Sequence, residues 1–198
     1  MEPLKEILGD KWESRWIEKT PNNVNNIREI LKEFPQAKFL HIIRDGRDVV
    51  TSRLPGERWF QVYPMLWVEE LWRGLAFIDH PSVYTFRYED LIENFEETIL
   101  DIQRFIEVEP SDRLLAYPKY ATVQEFKNWE HSAIPVHNRV IGRWKNPEVA
   151  YRERVEEAMK IPEFVELLDQ LGYLDEPRKP MNVDRTLRIL SFPKIVYH

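Results

Sequence analysis

The chain has 198 residues, with 28 Lys and Arg against 34 Asp and Glu, a net charge of −6 and no cysteine. The acidic surplus argues against general nucleic-acid binding, which needs a basic face to neutralise phosphates. The lack of cysteine excludes disulfides, thiolate metal sites and thiol nucleophiles, and fits a reducing compartment.

With 43% apolar and 13% aromatic residues, including seven Trp, the chain has the material for a substantial core and is expected to form one main domain. The charge is uneven. Residues 176–198 hold five basic residues against two acidic ones, a balance of +3, and the remainder carries −9. The opening MEPLKEILGD lacks a signal-peptide layout, and no run approaches the ~20 apolar residues of a membrane span. A soluble, cytoplasmic protein is expected.

In chain order, Leu4, Ile7 and Leu8 have helical spacing and precede Trp12 and Trp16. An Asn between 22 and 26 can cap a helix whose face is Ile27, Ile30, Leu31 and Phe34, ended by Pro35. Residues 38–43 read as a buried strand, and a short helix follows from about Arg47. Residues 64–79 start with Pro at a favoured first-turn position and predict a helix. Residues 82–88 predict a second strand. Residues 89–108 predict one helix with Ile92, Phe95, Ile99, Ile102 and Ile106 in a stripe. Residues 108–146 read as a long irregular loop. Two helices follow, at 147–160 and 162–173, the second closed by Gly172. The last residues, LRILSFPKIVYH, fit one strand.

Strands alternating with helices imply an α/β fold with a parallel sheet. Ligands of such sheets sit beyond the carboxyl ends of the strands, where Arg44 and Tyr88 fall. The motif Arg44-Asp45-Gly46-Arg47-Asp48 joins a strand end to a helix start. Free N–H groups and the helix dipole favour an anion at such a place. Gly46 permits a tight turn, and Arg44 offers a planar fork suited to phosphate. Ser52 falls about two turns into the helix and can donate a hydroxyl. Taken alone, the motif fits a solvated turn with local ion pairs equally well.

The segments EKTPNN (18–23), FPQAKFLHIIRDGRDVVTS (34–52), FRYEDL (86–91) and IGRWKN (141–146) occur in this order. Together they resemble the sulfotransferase superfamily, closest to bacterial and protein-tyrosine sulfotransferases, over about residues 17–175. The resemblance implies a three-layer parallel sheet flanked by helices, like that of the P-loop NTPases, with residues 1–175 as the domain and 176–198 as a basic, Pro-rich tail. It implies 3′-phosphoadenosine 5′-phosphosulfate (PAPS) as donor, a hydroxyl or amine acceptor, and no metal. Arg44 and Ser52 would bind the 3′-phosphate, and Tyr88 would line the adenosine. The loop with Gly142, Arg143, Trp144 and Lys145 would fold over the nucleotide. Lys19 would stand beside the sulfuryl group, where a fixed ammonium stabilises charge developing on the leaving oxygen. Without the resemblance, Lys19 reads as an ordinary exposed lysine.

The chain departs from the family pattern in two places. No segment resembles the P-K-S-G-T-T-W loop that cradles the 5′-phosphosulfate, so the domain is expected to be incomplete at its N-terminus. Three explanations are open: the chain is an N-terminally truncated copy, the terminal SFPK run with Ser191 and Lys194 replaces the lost part, or a partner chain or homo-oligomer completes the sheet. Second, HNRVIG replaces an Arg-Lys-Gly cluster, leaving Arg139 to do that work. The chain is therefore expected to bind the nucleotide product more firmly than it transfers sulfate. A non-catalytic nucleotide-binding or assembly protein on the same scaffold is the alternative. A P-loop phosphotransferase is disfavoured because no Gly-Lys pair is present. His41, His80, His131, His137 and His198 lack metal-ligand spacing and read as structural, with His131 and His137 as acceptor-contact candidates. Trp59, Trp67 and Trp72 fit core packing better than an acceptor pocket.

Overall fold

The computed structural model describes residues 16–53, 57–120 and 141–183. The expected helix in 3–16, most of the 108–146 loop beyond Tyr120 and the C-terminal strand lie outside these residues. A 3-10 turn, Pro21–Asn25, leads into α1, Ile27–Glu33. Asn26 takes the cap position, but its side-chain amide donates to the Asn22 carbonyl rather than capping the helix.

Two strands, β1 (Phe39–Ile43) and β2 (Val83–Arg87), form a parallel pair running in register from Phe39↔Val83 to Ile43↔Arg87. Between them lie α2 (Gly46–Val50) and α3 (Pro64–Leu75). Pro64 opens α3 in the position that needs no N–H donor. Trp67, Val68, Leu71 and Leu75 form its buried stripe. Gly74 lets α3 lie against the sheet, because a Cβ there would stand 2.2 Å from His41 Nε2. Trp67 lies beside Gly46 and Gly74 beside His41, so α3 runs back along β1 toward the amino ends of the strands.

After β2 come α4 (Tyr88–Glu93) and α5 (Phe95–Phe105). The single helix expected over 89–108 is broken at Asn94, whose φ of −124° and ψ of 49° leave the helical region. Asn competes for backbone hydrogen bonds and favours such breaks. Two one-turn helices, α6 (Asp112–Leu115) and α7 (Tyr117–Tyr120), replace the start of the expected irregular loop. Helices α8 (Val149–Ala158) and α9 (Pro162–Gln170) complete the described elements. Past α9, the N–H of Gly172 bonds to the Asp169 carbonyl (2.8 Å) and that of Tyr173 to the Leu168 carbonyl (2.8 Å), a Schellman closure with Gly172 at φ 72°.

The core lies on the His41 and Ile43 face of the sheet. Ile43, Trp67, Leu75, Phe164, Leu167 and Leu168 meet there, with the Trp67 and Phe164 rings 4.7 Å apart. Trp67 is therefore a core residue, whereas Trp59 is exposed. On the opposite face Tyr84 stacks on Phe86 and on Phe105 of α5. Leu40 and Ile42 share that face but are 42% and 52% exposed. Strand β1 is thus not buried on both sides as its apolar run suggests. The aromatic packing from α5 falls on β2.

Candidate anion site at the strand ends

The register brings Arg44 and Tyr88 out of the sheet side by side, each one residue past paired Ile43 and Arg87. The Arg44 guanidinium lies 4.9 Å from the centre of the Tyr88 ring, a cation–π contact that orients its planar fork. The Arg44 side chain keeps 26% of its surface exposed.

The other charges of the motif face inward. Asp45 caps α2, accepting from the Arg47 N–H at 2.9 Å. The Asp45 N–H in turn donates to Glu89 Oε1 at 3.0 Å. Arg47 reaches back to both Asp45 oxygens, donates to the Tyr173 carbonyl at 2.7 Å, and lies 4.1 Å from the Trp144 ring centre. The Asp48 side chain is wholly buried and accepts from the N–H groups of Gly142 (2.9 Å) and Trp144 (3.0 Å). Its Oδ2 also lies 3.6 Å from Arg44 Nη2.

Three expectations are corrected here. At the start of α2 the Arg47 N–H is taken by the Asp45 carboxylate and the Asp45 N–H by Glu89, and the charges of Asp45 and Asp48 offset the helix dipole, so this end does not favour a further anion. Ser52 does not sit two turns into a helix: α2 ends at Val50, Thr51 is its C-cap, and Ser52 follows at the end of α2 remote from Arg44. Gly46 does not serve a positive-φ turn. A Cβ there would meet the Phe164 ring at 2.8 Å and Trp67 at 2.9 Å.

The 142–145 loop does reach the motif. Gly142 has φ 72°, a left-handed conformation that L side chains resist. That turn directs its N–H at Asp48. Trp144 rests on Arg47, Arg143 is exposed, and Lys145 Nζ pairs with Glu176 at 2.8 Å. Arg139 lies outside the described residues.

Among the described residues Lys19 makes no hydrogen bond or ion pair with this group. It is exposed, and the residues around it point elsewhere. The Trp16 ring packs edge-on to Phe34, and Asn25 accepts from Arg73 near the end of α3. These contacts hold the segment toward the amino ends of the strands.

Glu89 and Tyr173 were not legible as site residues. Glu89 reads from sequence as a helix-capping acid, yet it is 1% exposed and accepts from Asp45 N–H and from the Tyr173 hydroxyl (2.8 Å). Burial raises its carboxyl above the usual carboxylate range. Burial, and then the Glu89 charge, also push the Tyr173 phenol up. The pair supports the motif from below. Among the described residues no group of His, Asp and Glu is arranged to hold a metal ion, and no helix is long and apolar enough to cross a membrane.

No solved structure matches the chain. An uncharacterized protein of Aquifex aeolicus (strain VF5) is 29% identical over 123 residues, covering 56% of this chain and 16% of that protein. The chain thus spans about a sixth of that relative's length. A family model described as Sulfotransferase family matches residues 6–112, a stretch containing β1, the Arg44 motif, β2 and Tyr88. A mixed α/β chain with a small parallel sheet and an arginine at its carboxyl edge, matched over more than half its length by that model, belongs to the sulfotransferase family.

Proposed function

We propose that the chain binds the 3′-phosphoadenosine half of PAPS at Arg44 and takes part in sulfuryl transfer to a hydroxyl or amine acceptor. The observation that carries this reading is the Arg44 guanidinium laid over Tyr88 where two parallel strands end, with the 142–145 loop tied alongside through Asp48. In this reading Arg44 grips the 3′-phosphate and Tyr88 flanks the adenosine. Trp144 and Lys145 close over the nucleotide, with Gly142 and Arg143 shaping the same loop. When bound, PAPS supplies an activated sulfuryl group on a phosphate leaving group. Cations held near that oxygen stabilise its developing charge. Lys19 is left out of the assignment because its segment packs toward Phe34 and Arg73. Ser52 belongs to it only as a hydroxyl at the far end of α2.

The test is calorimetry with adenosine 3′,5′-bisphosphate and with adenosine monophosphate. A charge-assisted contact is worth ~1.5–3 kcal/mol, so Arg44→Ala should weaken the bisphosphate by roughly tenfold to a hundredfold and barely change the monophosphate. Equal loss for both ligands defeats the 3′-phosphate assignment. One observation favours a second reading, a non-catalytic nucleotide-binding or assembly protein: Asp45, Arg47 and Asp48 are all engaged in holding the fold. Neither binding nor transfer by the whole chain would select the assembly form of that reading.

A further inference from the structure

The Asp48 carboxylate is the meeting point of two parts that the sequence keeps far apart. Its side chain has no solvent exposure, so it depends on protein donors to offset the loss of water. It finds them in a loop 94 and 96 residues further along the chain. Oδ1 takes the Trp144 N–H at 3.0 Å. Oδ2 is shared, with the Gly142 N–H at 2.9 Å and Arg44 Nη2 at 3.6 Å. One oxygen therefore faces both the loop and the guanidinium that lies over Tyr88.

We infer that Asp48 is a positioning residue that makes anion capture by Arg44 and docking of the 142–145 loop a single event. An anion that reaches the Arg44 guanidinium draws on its charge and weakens its pull on Oδ2. That oxygen is then left more fully to the Gly142 N–H, and the loop tightens. In the other direction, a docked loop fixes Oδ2 and so fixes the direction in which the Arg44 fork points. Coupling of this kind is reciprocal by thermodynamic necessity. The exposed cations of the loop, Arg143 and Lys145, arrive beside the anion in the same step. The inference rests on the nucleotide reading above only for the identity of the anion.

The experiment is amide hydrogen exchange on the whole chain, read at Gly142 and Trp144, with Leu168 in the core as reference. Adenosine 3′,5′-bisphosphate should slow exchange at both loop amides by about tenfold more than adenosine monophosphate does, within the usual range of allosteric coupling. Asp48→Asn keeps the side-chain volume and one acceptor oxygen but removes the charge. It should erase the difference between the two nucleotides and weaken the bisphosphate by roughly tenfold to a hundredfold. Bisphosphate that binds the native chain without slowing the two amides overturns the inference, as does an Asn variant that behaves like the native chain. If the variant does not fold, the native comparison decides alone. If the bisphosphate does not bind at all, the nucleotide reading fails, and inorganic sulfate becomes the probe. Slower exchange at Gly142 and Trp144 in sulfate then supports the coupling, and unchanged exchange overturns it.

Discussion

Gly46 shows how a residue's neighbours, rather than its own backbone, can dictate its identity. The space where its Cβ would sit is taken by the Phe164 and Trp67 rings at 2.8 and 2.9 Å. These rings belong to the closed core and have little room to move. Gly46→Ala should therefore cost about 1–3 kcal/mol by overpacking. Urea denaturation followed by tryptophan fluorescence measures this, and an unchanged midpoint would contradict the packing account. Sequence alone points to Arg44 and Tyr88, because strand ends can be read from an apolar run that stops. It does not reveal the task of Asp48, whose partners are 94 and 96 residues away. Glu89 was hidden for a related reason: an acid in a first helical turn looks like a cap, and its partners Asp45 and Tyr173 lie 44 and 84 residues away.

At the level of elements, β1 and α3 meet at His41. The ring faces Thr85 across the strand pair, Nδ1 to Oγ1 at 3.2 Å, and Gly74 presses on it from the helix. Burial lowers the imidazole to about 4 from its ordinary 6.5. The folded state thus keeps His41 neutral where the unfolded chain already takes up a proton. The contribution of His41 to stability is full above pH 6.5 and is lost as pH drops toward 4. The shift corresponds to about 3 kcal/mol at the acid end. His41→Asn should flatten the stability profile between those limits, measured as urea midpoints across the pH range. A slope equal to the native one would remove His41 as its cause. Both strands and the helices α1, α3, α8 and α9 could be read from periodicity. The exposed side of β1 could not, because a run such as Phe39-Leu40-His41-Ile42-Ile43 does not say which neighbour covers which face. The break at Asn94 was masked by the apolar stripe that continues across it.

For the molecule as a whole, Arg87 links the sheet to the C-terminal part of the described chain. It is 7% exposed, and its guanidinium donates to the Leu171 carbonyl (3.1 and 2.6 Å) and to the Lys179 carbonyl (2.6 Å). Through this contact and its neighbours, residues 177–183 are held against the body. Arg178 pairs with Glu93, and Met181 and Val183 pack on the core. Arg87→Met should leave buried carbonyls without donors and cost about 2–4 kcal/mol. Chemical denaturation should show the loss as one cooperative transition, and full native stability would show that the contact is dispensable. Nothing local to Arg87 signals this role, since its acceptors are backbone atoms 84 and 92 residues away.

The register of β1 against β2 has a consequence for how this gene can change length. Ile43 is level with Arg87, and that alignment alone puts Arg44 beside Tyr88. Because side chains alternate along a strand, a shift of one residue exchanges the two faces. An in-frame loss of a single codon within 39–43 would offer two outcomes. If the residues after the gap move back to fill it, they exchange faces and Arg44 is drawn into the strand, away from Tyr88. If they hold their places, the residues before the gap exchange faces instead. A spelling change at Leu40 or Ile42, by contrast, alters a half-open surface and leaves both relations intact. In these five residues the number of letters is specified more strictly than several of the letters themselves.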